Sequence, residues 1–384
     1  MNCVRELRRA TIYSMLRKST GYIPTLDGWR AIAISAVILY HSSTVSVGEL
    51  DFRNEQDLGL YGVSLFFAIS GFLICGRLLD EEGTTGRISL KSFYLRRVFR
   101  IQPPALLYLL VLAVLGWIGV VRNPFWPWIS ALLCFRNFYT ASVGVVSADL
   151  YTHHFWSLAV EEHFYLFLPL LLIVTKRWRG YVFGVLSVCS VFWVFLVRHF
   201  FLPLHPASGE RTDLYAAALI FPAMLAFVIR REEIRVQIAR WSPTVAVLSA
   251  VSFFASALWL ESKCLWLIVI CGFPFILLGT VLHPSALISK ILESRPLKYI
   301  GRISYSLYLW QQIFVVNARE ISQAGERLRL LQIFPLNLLC LLTLASGSYF
   351  LIERPIIGIG GKLVSRHNLA SHPNGGAIAE ILVQ

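Results

Sequence analysis

The chain is predicted to fold as an all-α, polytopic membrane helix bundle, and its composition is the first reason. Hydrophobic residues make up 56% of the chain, charged residues only 15%, and the mean hydropathy is +0.63, whereas soluble domains run at roughly 45–50% apolar and about 25% charged. The second reason is patterning. Apolar stretches long enough to cross a ~30 Å hydrocarbon core fall near residues 28–46, 59–77, 104–121, 153–175, 180–199, 212–229, 242–260, 264–282, 299–316 and 330–352, giving about ten transmembrane helices. The third is charge. With the N-terminus inside, 26 of the 35 Lys and Arg residues fall on the inner side, the bias expected of cytoplasmic loops. The formal charge of +13 then reflects topology and contact with anionic headgroups, and nucleic acid is not needed as a partner.

Residues 1–25 read as a basic, cytoplasmic N-terminal segment. Arg5-Glu6-Leu7-Arg8-Arg9 is followed by no apolar core or small-residue cleavage site, so no signal peptide is expected. In the first span, Arg30 and His41 are eleven residues apart. That is three turns plus about 20°, so both side chains share one helix face about 16 Å apart. A guanidinium and an imidazole are costly inside hydrocarbon, which makes them functional candidates. Asp27, three residues before Arg30, is expected to pair with it.

The second span holds Gly62 and Gly71 among apolar residues, small positions where helices can approach closely. The inner loop that follows, residues 91–101, interleaves Phe93, Leu95, Phe99 and Ile101 with cations and meets Pro103-Pro104. It reads as an amphipathic inner-surface helix ended by the prolines. Its Arg97 and Arg100 are neighbours on one face, well matched to phosphate oxygens; alone, they could equally anchor to lipid phosphates. Residues 125–139, broken by Pro127, Arg136 and Asn137, read as a re-entrant or interfacial segment buried in protein or lining a cavity. Seven scattered cysteines with no Cys-x-x-Cys indicate neither a disulfide framework nor a thiolate site. The histidines show no ligand spacing, so no metal is expected. Residues 356–384 read as a polar, disordered tail.

Further polar marks interrupt the apolar sequence. They are His154-Phe155-Trp156-Ser157-Leu158-Ala159-Val160-Glu161-Glu162-His163, Gly301-Arg302-Ile303-Ser304-Tyr305-Ser306-Leu307-Tyr308-Leu309-Trp310-Gln311 and Ser348-Tyr349-Phe350-Leu351-Ile352-Glu353-Arg354-Pro355. In this order, with the Arg30/His41 pair and Arg97-x-x-Arg100, the segments resemble the acyltransferase 3 family of integral-membrane O-acyltransferases. That family modifies bacterial surface and secreted glycans and some small natural products. The resemblance covers residues 22 to 355, so residues 26–355 are expected to form one membrane acyltransferase domain. It implies an inner-membrane enzyme with both termini cytoplasmic, using acyl-CoA, most simply acetyl-CoA, as donor and a glycan, glycolipid or glycoside as acceptor. Family members often carry His after Tyr-Leu-Trp, where this chain has Gln311.

The implied chemistry is coherent in itself. A hydroxyl is a poor nucleophile until a base takes its proton, and imidazole suits that task near neutral pH. His41 is the expected base, and Glu161 or Glu162 is expected to orient it or to bind a sugar hydroxyl. Arg30, Arg97 and Arg100 are expected to hold the donor's polar arm and phosphates, with Trp156, Ser157 and Tyr305 on the acceptor. The extended pantetheine arm would span the distance from Arg30 to His41 through a tunnel. A ternary complex and an acyl-histidine both remain open, the former being favoured. The alternative from another class is a transporter or flippase of a lipid-linked saccharide, for which buried charges would line a path and no base would be needed.

Overall fold

Every regular element among the described residues is helical. These residues are 22–42, 55–143, 147–201, 210–258, 263–316 and 326–371 of a computed structural model. In chain order the α-helices are α1 (Pro24–His41), α2 (Glu55–Thr85), α3 (Leu90–Trp117), α4 (Phe125–Leu132), α5 (Arg136–Val143), α6 (Phe155–Val174), α7 (Arg179–Leu196), α8 (Thr212–Val228), α9 (Glu232–Leu258), α10 (Lys263–Leu282), α11 (Leu287–Leu292), α12 (Arg295–Arg302), α13 (Ser304–Phe314), α14 (Leu336–Ser348) and α15 (Arg354–Ser371). Five helical stretches, in α2, α3, α6, α7 and α14 through α15, are long and apolar enough to cross a membrane; α8 and the end of α10 are shorter apolar helices. The protein is an all-α membrane helix bundle. Large apolar side chains such as Leu110, Phe167, Val188 and Leu351 are exposed on its flanks, as a hydrocarbon solvent requires.

α2 is the central helix, packed between α1 and α8 and touching α6 and α10. The approach is close because the contact residues have no side chain. A Cβ on Gly71 would sit 2.2 Å from the Leu219 carbonyl oxygen of α8, and one on Gly62 would sit 2.6 Å from that of Ala33 on α1. The crossing of α12 with α1 is tighter, a Cβ on Gly301 falling 1.9 Å from the Asp27 carbonyl. The obstacle is helix backbone, which cannot swing aside. Gly301→Ala should therefore destabilise the protein by about 1–3 kcal/mol, read as a lowered melting temperature of the detergent-solubilised chain; an unchanged melting point would show that α12 can slide. At its C-terminal end α2 is tied by charge, Glu81 to Arg96 at 2.7 Å and Glu82 to Arg179.

Three elements differ from the sequence expectation. α3 runs unbroken through Pro103 and Pro104, so residues 91–101 are its first three turns and not a separate surface helix. The prolines remove two backbone donors, and the Tyr305 hydroxyl donates to the Ile101 carbonyl at 2.7 Å in that stretch. The N-terminal part of α3 is instead covered by α15, where Gly360 packs on Phe99. Hence residues 356–371, expected as part of a disordered tail, are helical, while 372–384 lie outside the described residues, as does all but the end of the basic segment 1–25. The span expected at 299–316 is broken between α12 and α13 at Ile303.

Residues 125–139 form most of α4 and α5, eight residues each and so about 12 Å long, too short to cross. The chain reverses between them at Cys134, whose φ is 57°. Some of their polar groups are bonded within the protein. Arg136 and Asn137 are wholly buried, the former donating to Thr140 Oγ1 and the latter to Thr212 Oγ1, both at 2.7 Å.

Candidate active site

Five helices converge on a cleft of about 820 Å³, and helical spacing explains what each contributes. α1 supplies Arg30. α2 supplies Ser70 and Arg77, seven residues apart and hence on one face. α3 supplies Arg97, Arg100 and Ile101. α6 supplies the i, i+4, i+8 row Ser157, Glu161 and Tyr165, and α13 supplies Ser304, Tyr305 and Tyr308. Four guanidinium groups thus face one carboxylate among the described lining residues. That carboxylate is held: Ser70 Oγ donates to Glu161 Oε1 at 2.7 Å, and the Tyr165 hydroxyl donates to Ser70 Oγ at 3.3 Å.

Arg97 lies over the Tyr165 ring, 5.3 Å from its centre, an arrangement that favours a cation over an aromatic face. Its Nε is buried and meets no hydrogen-bond partner among the described residues, a donor left for a ligand. Arg30 donates to Asp27 Oδ1 at 2.9 Å, as its spacing predicts. Asp27 is further held by the Tyr22 hydroxyl at 2.8 Å. Burial raises the Tyr22 phenol above its ordinary value, so it remains a donor at neutral pH.

The site residues expected from sequence are only partly brought together. Arg30, Arg97, Arg100, Ser157, Glu161 and Tyr305 line the cleft. Three others do not. His41 ends α1, and its Nε2 lies 3.4 Å from Gln312 Nε2. The imidazole is not part of the cleft's lining, which includes Ser157 and Tyr308, joined by a 2.6 Å hydrogen bond. Glu162, about 100° round α6 from Glu161, faces a second, mostly apolar cleft with Gln102 and Cys134. Trp156 is buried in the core, its ring 4.8 Å from that of Tyr215 and 6.4 Å from that of Phe67, because its helix faces α2 and α8 there.

Sequence reading missed Ser70, Arg77, Tyr165 and Tyr308. Arg77 carries a usable signal, a cation at the end of an apolar run. The hydroxyls carried none, since isolated Ser and Tyr are common in membrane helices. Among the described residues no cluster of His, Cys, Asp or Glu could hold a metal ion.

The profile of a family described as "Acyltransferase domain" matches residues 23–352. A candidate O-acetyltransferase of Staphylococcus aureus strain COL, SACOL0978, is 31% identical over 326 residues, covering 76% of this chain and 50% of the relative. The O-acetyltransferase OatA of S. aureus strain NCTC 8325 is 28% identical over 363 residues, covering 88% of this chain and 58% of the relative. The chain thus spans about half the length of the curated relatives it matches. No solved structure matches it.

Proposed function

The chain belongs to the acyltransferase 3 family, and on that premise we propose that it is an O-acetyltransferase of the bacterial cell membrane, moving an acetyl group from cytoplasmic acetyl-CoA to a hydroxyl of a glycan, glycolipid or glycoside. The observation that carries the reading is the convergence of Arg30, Arg77, Arg97 and Arg100 on one cleft. Guanidinium forks pair with phosphate oxygens, and a donor rich in phosphate is the ligand such a lining fits. The unpartnered Arg97 Nε agrees with that fit. The cleft is the cytoplasmic end of the path and α1 runs outward from it.

His41 is the base. It takes the proton of the acceptor hydroxyl as that oxygen attacks the thioester carbonyl, and returns a proton to the departing thiolate. With Arg30 and His41 on one continuous helix, the reacting carbon has to travel about 16 Å from the Arg30 level, and the extended pantetheine arm covers it once the Ser157–Tyr308 pair parts. Glu161, fixed by Ser70, faces the cleft and not His41, so its place is beside the donor. Glu162 lines neither the cleft nor the path and is not required by this reading.

Membranes containing the protein, given acetyl-CoA labelled in the acetyl carbon and surface glycans, should form alkali-labile labelled esters on the glycan. Movement of a lipid-linked saccharide across the membrane without any ester would replace the transferase with a flippase.

A further inference from the structure

α13 carries a second polar row that the acyl-transfer chemistry described so far leaves unused. Ser304, Tyr305, Tyr308, Gln311 and Gln312 fall within about 120° of one another around the helix. The first three line the arginine cleft. The last two continue the same face outward, over about 12 Å in all, until Gln312 meets His41. Burial along this row is nearly complete at its outer end: Gln311 is 0% and Gln312 1% exposed.

Both amides are left unsatisfied. Among the described residues, Gln311 has no hydrogen-bond partner for either Nε2 or Oε1, and Gln312 has none for Oε1. A buried polar group without a partner costs about 1–3 kcal/mol, and buried groups nearly always find one. Three orphaned amide atoms on one helix face, next to the proposed base, mark a place built for something that donates and accepts hydrogen bonds at once. A hydroxyl does both; an acetyl group or an alkyl chain does not.

We infer that Gln311 and Gln312 form the seat for the acceptor's hydroxyl groups, holding one of them against His41. The inference rests on the reading of His41 as the base and names the acceptor side that reading left open. Gln312, beside the imidazole, and Gln311 hold hydroxyls that neighbour the reacting one on the same polyol, so the reacting hydroxyl faces His41 directly. The ligand class is therefore a vicinal polyol such as a sugar ring. The seat lies on the far side of the Ser157–Tyr308 pair from the arginines, so donor and acceptor enter from opposite ends.

The test uses the full chain in nanodiscs, labelled acetyl-CoA, and methyl glycosides of glucose, galactose and N-acetylglucosamine as probes. Gln311→Met and Gln312→Met should each raise the KM for the glycoside about tenfold, the loss of one hydrogen bond, and leave the KM for acetyl-CoA within twofold. Gln311→His, which keeps a donor or acceptor there, should recover most of the loss. Neither Met variant should melt below the wild type, because no protein hydrogen bond is removed from Gln311 and only a long one from Gln312. An unchanged glycoside KM in both Met variants, alongside loss of transfer in His41→Ala, overturns the seat and leaves the base intact. Donor and acceptor KM rising together also overturns it, since that signals general distortion of α13. Transfer by the wild type to none of the glycosides overturns the glycan reading and the seat with it.

Discussion

Replacing His41 by Ala should lower the rate of acyl transfer by about 10²–10⁴-fold, the usual contribution of a positioned general base and equivalent to about 3–5 kcal/mol of barrier. The geometry makes this a loss in kcat. His41 does not line the arginine cleft, so the KM for acetyl-CoA should stay within about twofold while turnover collapses. Packing supports the same separation: the side chain caps the end of α1 and touches Gln312 through one long contact, so truncating it leaves the buried core of α1 in place, which includes Leu26, Ile34 and Val37. His41→Gln, which keeps a hydrogen-bonding group without a titratable base, should be as inactive as the alanine variant and as well folded. Initial rates of label incorporation under saturating acetyl-CoA measure it. A fall of less than tenfold in both variants would remove His41 from the chemistry and return the search for a base to Glu161, the carboxylate that does face the cleft.

The bundle was legible because membrane helices leave a coarse signal. Runs of twenty apolar residues survive any local irregularity, and α6, α7 and α8 begin and end within about three residues of the expected positions. What failed were breaks inferred from local rules. Pro103-Pro104 reads as a stop in isolation, yet α3 runs through it and is braced there by distant neighbours: Tyr305 reaches the Ile101 carbonyl and α15 covers the Phe99 turn. Both partners lie more than 200 residues away in sequence, beyond any windowed pattern. The tail misled in the complementary way. Residues 356–371 look polar and Gly-rich, and the face they present to α3 becomes visible only once α3 is known to begin at Leu90.

At the site, charge was legible and neighbourhood was not. Arg30, Arg97 and Arg100 stood out because a cation in or beside apolar sequence is conspicuous, and all three line one cleft. Glu161 and Glu162 were equally conspicuous and adjacent, and sequence had no means to separate them; the 100° step of the helix sends one to the arginines and the other to Gln102 and Cys134. Trp156 is expected on the acceptor through its place in the Trp156-Ser157-Leu158 motif, but its position one residue before the Ser157 row turns it into the core against Tyr215. Gln311 drew notice only as a departure from the family's pattern, and Gln312 drew none. Their significance comes from burial without partners, a property of the folded protein alone.

The second large effect should fall on the donor. Arg97→Ala should raise the KM for acetyl-CoA about 10–150-fold, which corresponds to the ~1.5–3 kcal/mol of a hydrogen bond to a charged group, with kcat at saturation changed far less. Arg97 is the most exposed to test because its Nε is buried without a partner and its guanidinium is steadied by the Tyr165 and Phe93 rings rather than neutralised by a carboxylate. Arg97→Lys keeps the charge and loses the fork, so it should recover only part of the affinity. Arg30 is a weaker lever, since one of its nitrogens already serves Asp27. Truncating the ligand completes the cycle: removing the 3′-phosphate from CoA, used as a competitive inhibitor, should weaken binding to the wild type and have a smaller effect on whichever arginine variant has lost that contact. If every single Arg→Ala variant at positions 30, 77, 97 and 100 keeps the wild-type KM for acetyl-CoA, the cleft is not the donor site, and the four guanidinium groups serve instead to hold the protein at the lipid headgroups.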